Sequence, residues 1–243
     1  MTHQHIVKSY EAELSQLDAK IGHMGGLAEH ILSEAFASLE QRNPQRAELA
    51  VASDHTIDQL QLELEEQVIT MIARRQPMAN DLRQIMAVLK VIGDLERIGD
   101  LAKNIGKRAQ ATASENQPRA LVTGLRHMVD LALRQLKDVL DAFATRDADK
   151  ALEVWNNDER IDALYNSVFR ELLTYMMEDP RNIGLCTHLL FIAKNVERIG
   201  DHTTNIAETV TYLARGALPQ GERPKNDRTS TTMVTPSGIT DAG

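Results

Sequence analysis

Apolar residues recur at helical spacing through most of the first 215 positions. Val91, Leu95, Ile98, Ala102 and Ile105 follow one another at intervals of four and three, and Ile192, Val196, Ile199, Thr203 and Ile206 repeat those intervals. Ile57, Leu60, Leu64, Val68 and Met71 form a further stripe, and Ile161, Leu164, Val168 and Leu172 another. Each stripe marks one face of a bundle helix. Runs of Val, Ile, Thr and aromatics bounded by turn residues, the signature of strands, are missing. Turn signals fall at regular places: Asn43-Pro44, Gln76-Pro77, the polar run 113–118, Asp147 and Asp179-Pro180. Asn43 and Asp147 are suited to cap the helices that follow them. The pattern predicts six helices, over about 5–41, 44–75, 78–110, 119–146, 148–178 and 181–215. From Gly216 onward Gly, Pro, Ser and Thr dominate, and a disordered tail is expected over 216–243.

The six stretches fall into two sets of three. Met24 matches Met128, Asn43 matches Asp147, Asp54 matches Asp158 and Asp58 matches Asp162, each pair 104 residues apart. Glu96 matches Glu197 and Asp100 matches Asp201 at an offset of 101, so one break is shorter by three residues in the second set. The segment DLERIGDLAKNI (94–105) pairs with NVERIGDHTTNI (195–206). Caps, breaks and motif recurring in order indicate an internal duplication. The expected fold is all-α: two tandem three-helix bundles, 5–112 and 118–215, related by a pseudo-twofold repeat and followed by the tail. Short connections favour antiparallel neighbours within each bundle.

Composition narrows the chemistry. The chain is 42% hydrophobic, enough to bury a substantial core. Its formal net charge is −8, which argues against a nucleic-acid partner, because phosphate backbones need clustered Lys and Arg. Arg74–Arg75 and Lys107–Arg108 are short pairs of the kind found at helix ends. Cys186 is the single cysteine, which excludes an internal disulfide and Cys-based zinc sites; a small buried apolar role fits it. MTHQHIVKSYEAEL has no apolar core of a secretory signal, and no run reaches the roughly 18 apolar residues of a membrane span, so a cytoplasmic location is expected.

The candidate chemistry lies in paired carboxylates. Asp54 with Asp58 and Asp158 with Asp162 form D-x-x-x-D; Glu96 with Asp100 and Glu197 with Asp201 form E-x-x-x-D. A spacing of four puts both acids on one helix face, where like charges cost about 0.2–0.5 kcal/mol per pair. Four such pairs in repeat register suggest compensation by a cation. Asn104 and Asn205, one turn further, offer carbonyl oxygens. On a helical wheel Glu96 and Asp100 lie opposite the Ile98 stripe, and Asp54 and Asp58 flank the Ile57 stripe, so all four are expected outside the core, on an acidic strip between two helix surfaces. Oxygen-only donors suit hard or borderline divalent or trivalent ions: Fe, Mg, Mn, Ca or Zn. Solvated acids on an outer face are the plainer alternative. Gly99 and Gly200 weaken helix interiors, and their recurrence points to close helix approach. Arg97 and Arg198 flank the glutamates; His55 and His202 adjoin acids but do not match across the repeat.

Other chemistries find little support. A ferritin-like di-metal enzyme needs Glu-x-x-His, and none of the 8 histidines has a Glu three residues before it. His30 and His127 are unsupported candidates for phosphotransfer. No P-loop, G-x-S-x-G elbow or H-E-x-x-H occurs, and no Arg/Lys cluster or Gly-rich loop signals direct phosphate binding. A metal-binding helical scaffold or a carboxylate-bridged di-metal protein outside phosphate signalling is the alternative function.

Over residues 5–215 the chain resembles the PhoU family of phosphate-transport accessory and regulatory proteins, on the duplicated E-R-I-G-D segments, the acidic pairs in the preceding helices and RRQPMANDLR (74–83). The resemblance implies two three-helix bundles and no catalysis. It implies negative regulation of phosphate uptake and of the phosphate-starvation response. The implied partners are the ATPase subunit of a phosphate ABC transporter, a membrane sensor histidine kinase and a second copy in a homodimer, with the membrane reached only through them. It also implies surface metal clusters on Asp54, Asp58, Glu96 and Asp100, and on Asp158, Asp162, Glu197 and Asp201. Lys103 falls beside the first set, where its counterpart in the second is Thr204, so the first set is expected to bind metal less well.

Overall fold

The computed structural model describes every residue except Met1, Glu222, Pro224, Arg228, Ser230, Thr231, Pro236, Ser237, Ala242 and Gly243, with the backbone alone described over 2–9 and 233–241. The described helices are α1 (Thr2–Gln41), α2 (Pro44–Arg75), α3 (Asn80–Ala111), α4 (Arg119–Thr145), α5 (Ala148–Asn156), α6 (Asp158–Glu178) and α7 (Ile183–Arg215), with a 3-10 turn at Pro180–Asn182. Two short tail strands, β1 (Thr232–Thr235) and β2 (Gly238–Asp241), pair antiparallel.

The two halves repeat down to single hydrogen bonds. Arg42 and Arg146 both take a left-handed conformation after α1 and α4, at φ 50° and 56°. The next amide reaches back to a helix carbonyl in each case: Asn43 N to Ser38 O and Asp147 N to Ala142 O. Asn43 then caps α2 by accepting from Arg46 N, and Asp147 caps α5 by accepting from Asp149 N and Lys150 N. These reciprocal bonds satisfy carbonyls and amides that a tight turn between long helices would otherwise orphan.

The fifth expected helix is two. The chain breaks at Asn157, between α5 and α6, and the Asn157 carbonyl accepts from Gln135 Nε2 of α4 at 3.0 Å. The same carbonyl also accepts from Arg160 N at 3.2 Å, so the buried Gln135 adds a second bond from a neighbouring helix at the break. Asp158 becomes the first residue of α6, and with Glu159 it places negative charge at the positive end of the helix dipole.

In the first unit α1, α2 and α3 pack on one another; in the second α4 and the α5–α6 pair pack on α7. The units join through α1 against α4 and α3 against α7. The latter two run antiparallel: His202 Nδ1 lies 2.9 Å from Asp94 Oδ1 at mid-length, Arg108 stacks on Phe191 towards one end and Arg83 on Tyr212 towards the other. The expected stripes of α3 and α7 are fully buried, as are Ile57, Leu64 and Val68 of α2, and the core is continuous across both units. At roughly 1.5–3 kcal/mol per large apolar side chain, this core is the main source of stability. Cys186 is buried there as a free thiol. No helix among the described residues is long and apolar enough to cross a membrane.

Part of the tail meets the bundle. Its described residues Arg223, Lys225, Asn226 and Asp227 bond to α6 and α7.

Candidate functional site

The eight acids gather in two seams, one where α2 meets α3 and one where α6 meets α7. They do not all face outward. Asp54, Asp158, Asp162 and Glu197 are only 2%, 2%, 3% and 4% exposed; Asp58, Glu96, Asp100 and Asp201 are half-buried. The wheel missed this because it treats one helix at a time. A Cβ on Gly99 would lie 2.8 Å from Ile57 Cδ1 and 3.1 Å from Asp54 Oδ1; one on Gly200 would lie 2.8 Å from Ile161 Cδ1. The two glycines draw the helices so close that acids on the flank of a stripe are sealed inside the seam.

Buried carboxylates need partners. In the first seam Lys103 Nζ lies 2.5 Å from both Asp54 Oδ2 and Asp100 Oδ1, bridging α2 and α3. Exposed Arg97 lies 3.4 Å from Glu96 and 3.9 Å from Asp100. Burial pushes the Asp54 carboxyl above its ordinary value; the Lys103 hydrogen bond opposes this and the charges of Asp58 and Asp100 add to it. Burial likewise raises Glu96, against the pull of Arg97 and with the push of Asp100, Asp58 and Asp54. Burial works against the Lys103 charge, but the bonds to Asp100 and Asp54 outweigh it and raise its pKa. Among the described residues, buried Asp54 Oδ1 finds no hydrogen-bond partner.

The second seam has the same acids and a different cation. Thr204, at the place of Lys103, donates to Asp158 Oδ1 at 2.9 Å. The bridge comes from the tail: Arg223 Nε lies 2.7 Å from Asp158 Oδ2 and Nη2 lies 2.7 Å from Asp201 Oδ1. Lys225 Nζ adds a contact to Asp201 at 3.2 Å, and Asn226 N donates to Asp162 Oδ2 at 2.7 Å. Lys194 Nζ lies 3.0 Å from Glu197 Oε2 and 2.9 Å from Asp227 Oδ2. Burial lifts Glu197 to about 7 in spite of Lys194, and burial also raises Asp162 against the Asn226 amide.

An all-oxygen carboxylate set fits a hard cation by donor chemistry. As arranged, however, an ammonium or guanidinium group already bridges the acids, and among the described residues no three His, Cys, Asp or Glu side chains stand as a preformed ligand group. Lys103 belongs to the seam's own helix, so its ammonium stays tethered beside the acids; Arg223 reaches them from the tail, outside the helices of the seam. The histidines lie elsewhere: exposed His55 approaches Gln59, and His202 faces Asp94 between the units.

Lys194, Arg223, Asn226 and Asp227 went unread in the sequence. One signal was present: Thr204 stands where its counterpart is lysine, leaving a pair of acids short of a cation, and the tail contains R-P-K.

Duplicated three-helix units joined along the helices that carry the acids define a class of tandem α-helical bundle proteins with paired carboxylate seams. The family model described as "PhoU domain" matches this chain twice, over residues 21–109 and 125–210. The chain belongs to the PhoU family. It is 53% identical, over 95% of its length and 98% of the relative's, to the phosphate-specific transport system accessory protein PhoU homolog of Rhizobium meliloti. The crystal structure of PhoU from Pseudomonas aeruginosa matches at TM-score 0.83 and 38% identity, covering 86% of this chain and 100% of that one. The phosphate transport system regulatory protein PhoU from Streptococcus pneumoniae matches at TM-score 0.80 and 30% identity, covering 87% and 99%.

Proposed function

We propose that this chain is a non-catalytic accessory regulator of phosphate transport, working in the cytoplasm. It restrains the phosphate ABC transporter through that transporter's ATPase subunit and holds down the phosphate-starvation response through a sensor histidine kinase. The observation that carries this is 53% identity across nearly the full length to a phosphate-specific transport system accessory protein. Pull-down with the full chain as bait tests it: the transporter ATPase is expected among the captured proteins, and its absence counts against the adaptor role. Deletion is expected to switch on phosphate-starvation reporters in high phosphate; unchanged output refutes negative regulation.

The carboxylate seams, in the same reading, hold metal. Asp158, Asp162, Glu197 and Asp201 are the better set, and Asp54, Asp58, Glu96 and Asp100 the poorer, because Lys103 is built into the latter. Bound metal would cross-link two helices where their acids repel, stiffening a surface that a partner can read. Elemental analysis of protein purified without chelator, beside the Glu197→Ala/Asp201→Ala variant, checks this. Equal metal content in the two removes the second set from consideration.

A further inference from the structure

The two seams solve one electrostatic problem in two ways. Asp54 and Asp100 are bridged by Lys103 from within α3. Their repeat counterparts, Asp158 and Asp201, are bridged by Arg223 from outside the bundle. Thr204 cannot bridge them, since a hydroxyl carries no charge and its one donated bond goes to Asp158.

We propose that the α6–α7 seam is a binding groove for the chain's own C-terminal segment, seated through Arg223, Lys225, Asn226 and Asp227, and that this segment is a releasable latch which excludes a divalent cation from Asp158, Asp162, Glu197 and Asp201. The exclusion rests on the metal reading of those acids; the seating of the latch stands on its own contacts.

The seat is specific along its length. The Arg223 guanidinium also reaches Asn205 Oδ1 and the Asp201 carbonyl, each at 3.3 Å. The backbone of Asn226 is held at both ends, its amide by Asp162 and its carbonyl by Asn166 Nδ2 at 2.5 Å. Asp227 returns a negative charge to Lys194 and folds onto Thr229 N and Oγ1 at 2.9 and 2.7 Å. Basic residues thus meet the acids while the segment's one described acid meets the seam's lysine, a charge complementarity that a non-specific tail would not show.

The connection is nearly taut. Gly216 turns the chain back from the end of α7 at φ 73°. From Arg215 back to the level of Asp201 is about 21 Å at 1.5 Å per residue. The eight steps to Arg223 span at most about 28 Å. The latch therefore reaches its own seam with little slack, and its release breaks polar and ionic contacts but no apolar core packing.

Two variants of the full chain test this. Amide hydrogen exchange reports the seat, and a Mn²⁺ titration reports the exclusion. In the wild type, exchange at Asn226 is expected to be slowed. Arg223→Ala should accelerate it about tenfold or more, the worth of a charge-assisted hydrogen bond, and tighten Mn²⁺ binding by a similar factor. Thr204→Lys is the converse: a lysine at the place of Lys103 should displace Arg223 and free Asn226 without opening the seam to Mn²⁺. Unprotected Asn226 in the wild type overturns the latch, as does equal protection in wild type and Arg223→Ala. Protected Asn226 with equal Mn²⁺ affinity in both overturns the exclusion alone and leaves the metal reading standing. Protected Asn226 with no Mn²⁺ bound by either overturns the exclusion and the metal reading together.

Discussion

Replacing Lys103 by methionine keeps the aliphatic stem and removes the charge. Asp54 would then lose its bridge while its side chain stays 3% exposed. Removing one partner of a buried ion pair costs about 3–5 kcal/mol. Lys103 is 22% exposed, so water recovers part of this, and about 2–3 kcal/mol is the expected loss at neutral pH. The carboxyl can also escape by taking up a proton. Its folded pKa already lies above the ordinary value because of burial, and without the lysine it rises further. The folded state then binds more protons than the unfolded state across the window between the two values, so stability falls as pH rises through it. Lys103→Met should accordingly cost less in acid than at neutral pH. Asp54→Asn in the same chain removes the stranded charge and should restore most of the loss. Urea unfolding in EDTA, followed by helicity and by Trp155 fluorescence, gives the double-mutant cycle, since the continuous core favours one cooperative transition. A loss below about 0.5 kcal/mol, or no recovery when Asp54→Asn is added, would refute the claim that Lys103 is what makes the first seam tolerable.

Glu197→Gln tests burial in the second seam. With the folded pKa at about 7 and an ordinary value of 4.5, the folded state binds the extra proton between these limits. Wild-type stability should fall across that window relative to the Gln variant, by about 3 kcal/mol in all; parallel pH profiles would refute it. Gly200→Ala should destabilise in spite of the roughly 1 kcal/mol helix gain, because the new methyl meets buried Ile161, and Ile161→Val should relieve it; a stabilised single variant would show that the close approach is slack.

The helices were legible because their signals are local. Asn43 and Asp147 cap as their side chains predict, and the stripes of α3 and α7 are buried residue for residue. The break at Asn157 was not legible, since Gln135, which bonds its carbonyl, reaches it from another helix. The acids were found, but their burial depends on how near two helices come, which Gly99 and Gly200 hint at and do not fix. The contacts of the tail were not legible for the same reason. Its composition offers no core, and the bond of Arg223 to Asp158 answers to Thr204 standing where the counterpart is lysine, in a distant part of the chain.

The antiparallel pairing of α3 with α7 is the arrangement that two separate copies of one unit would adopt about a dyad. In a dimer of identical chains any residue placed in one seam is placed in both, so a fixed lysine would close the two alike. Covalent fusion of the copies lifts that constraint. One seam can then carry its cation on its own helix, at Lys103, while the other holds Thr204 at that place and takes its cation from the tail, at Arg223. Duplication in this chain therefore did more than double a motif: it allowed a symmetric body to hold two unequal sites.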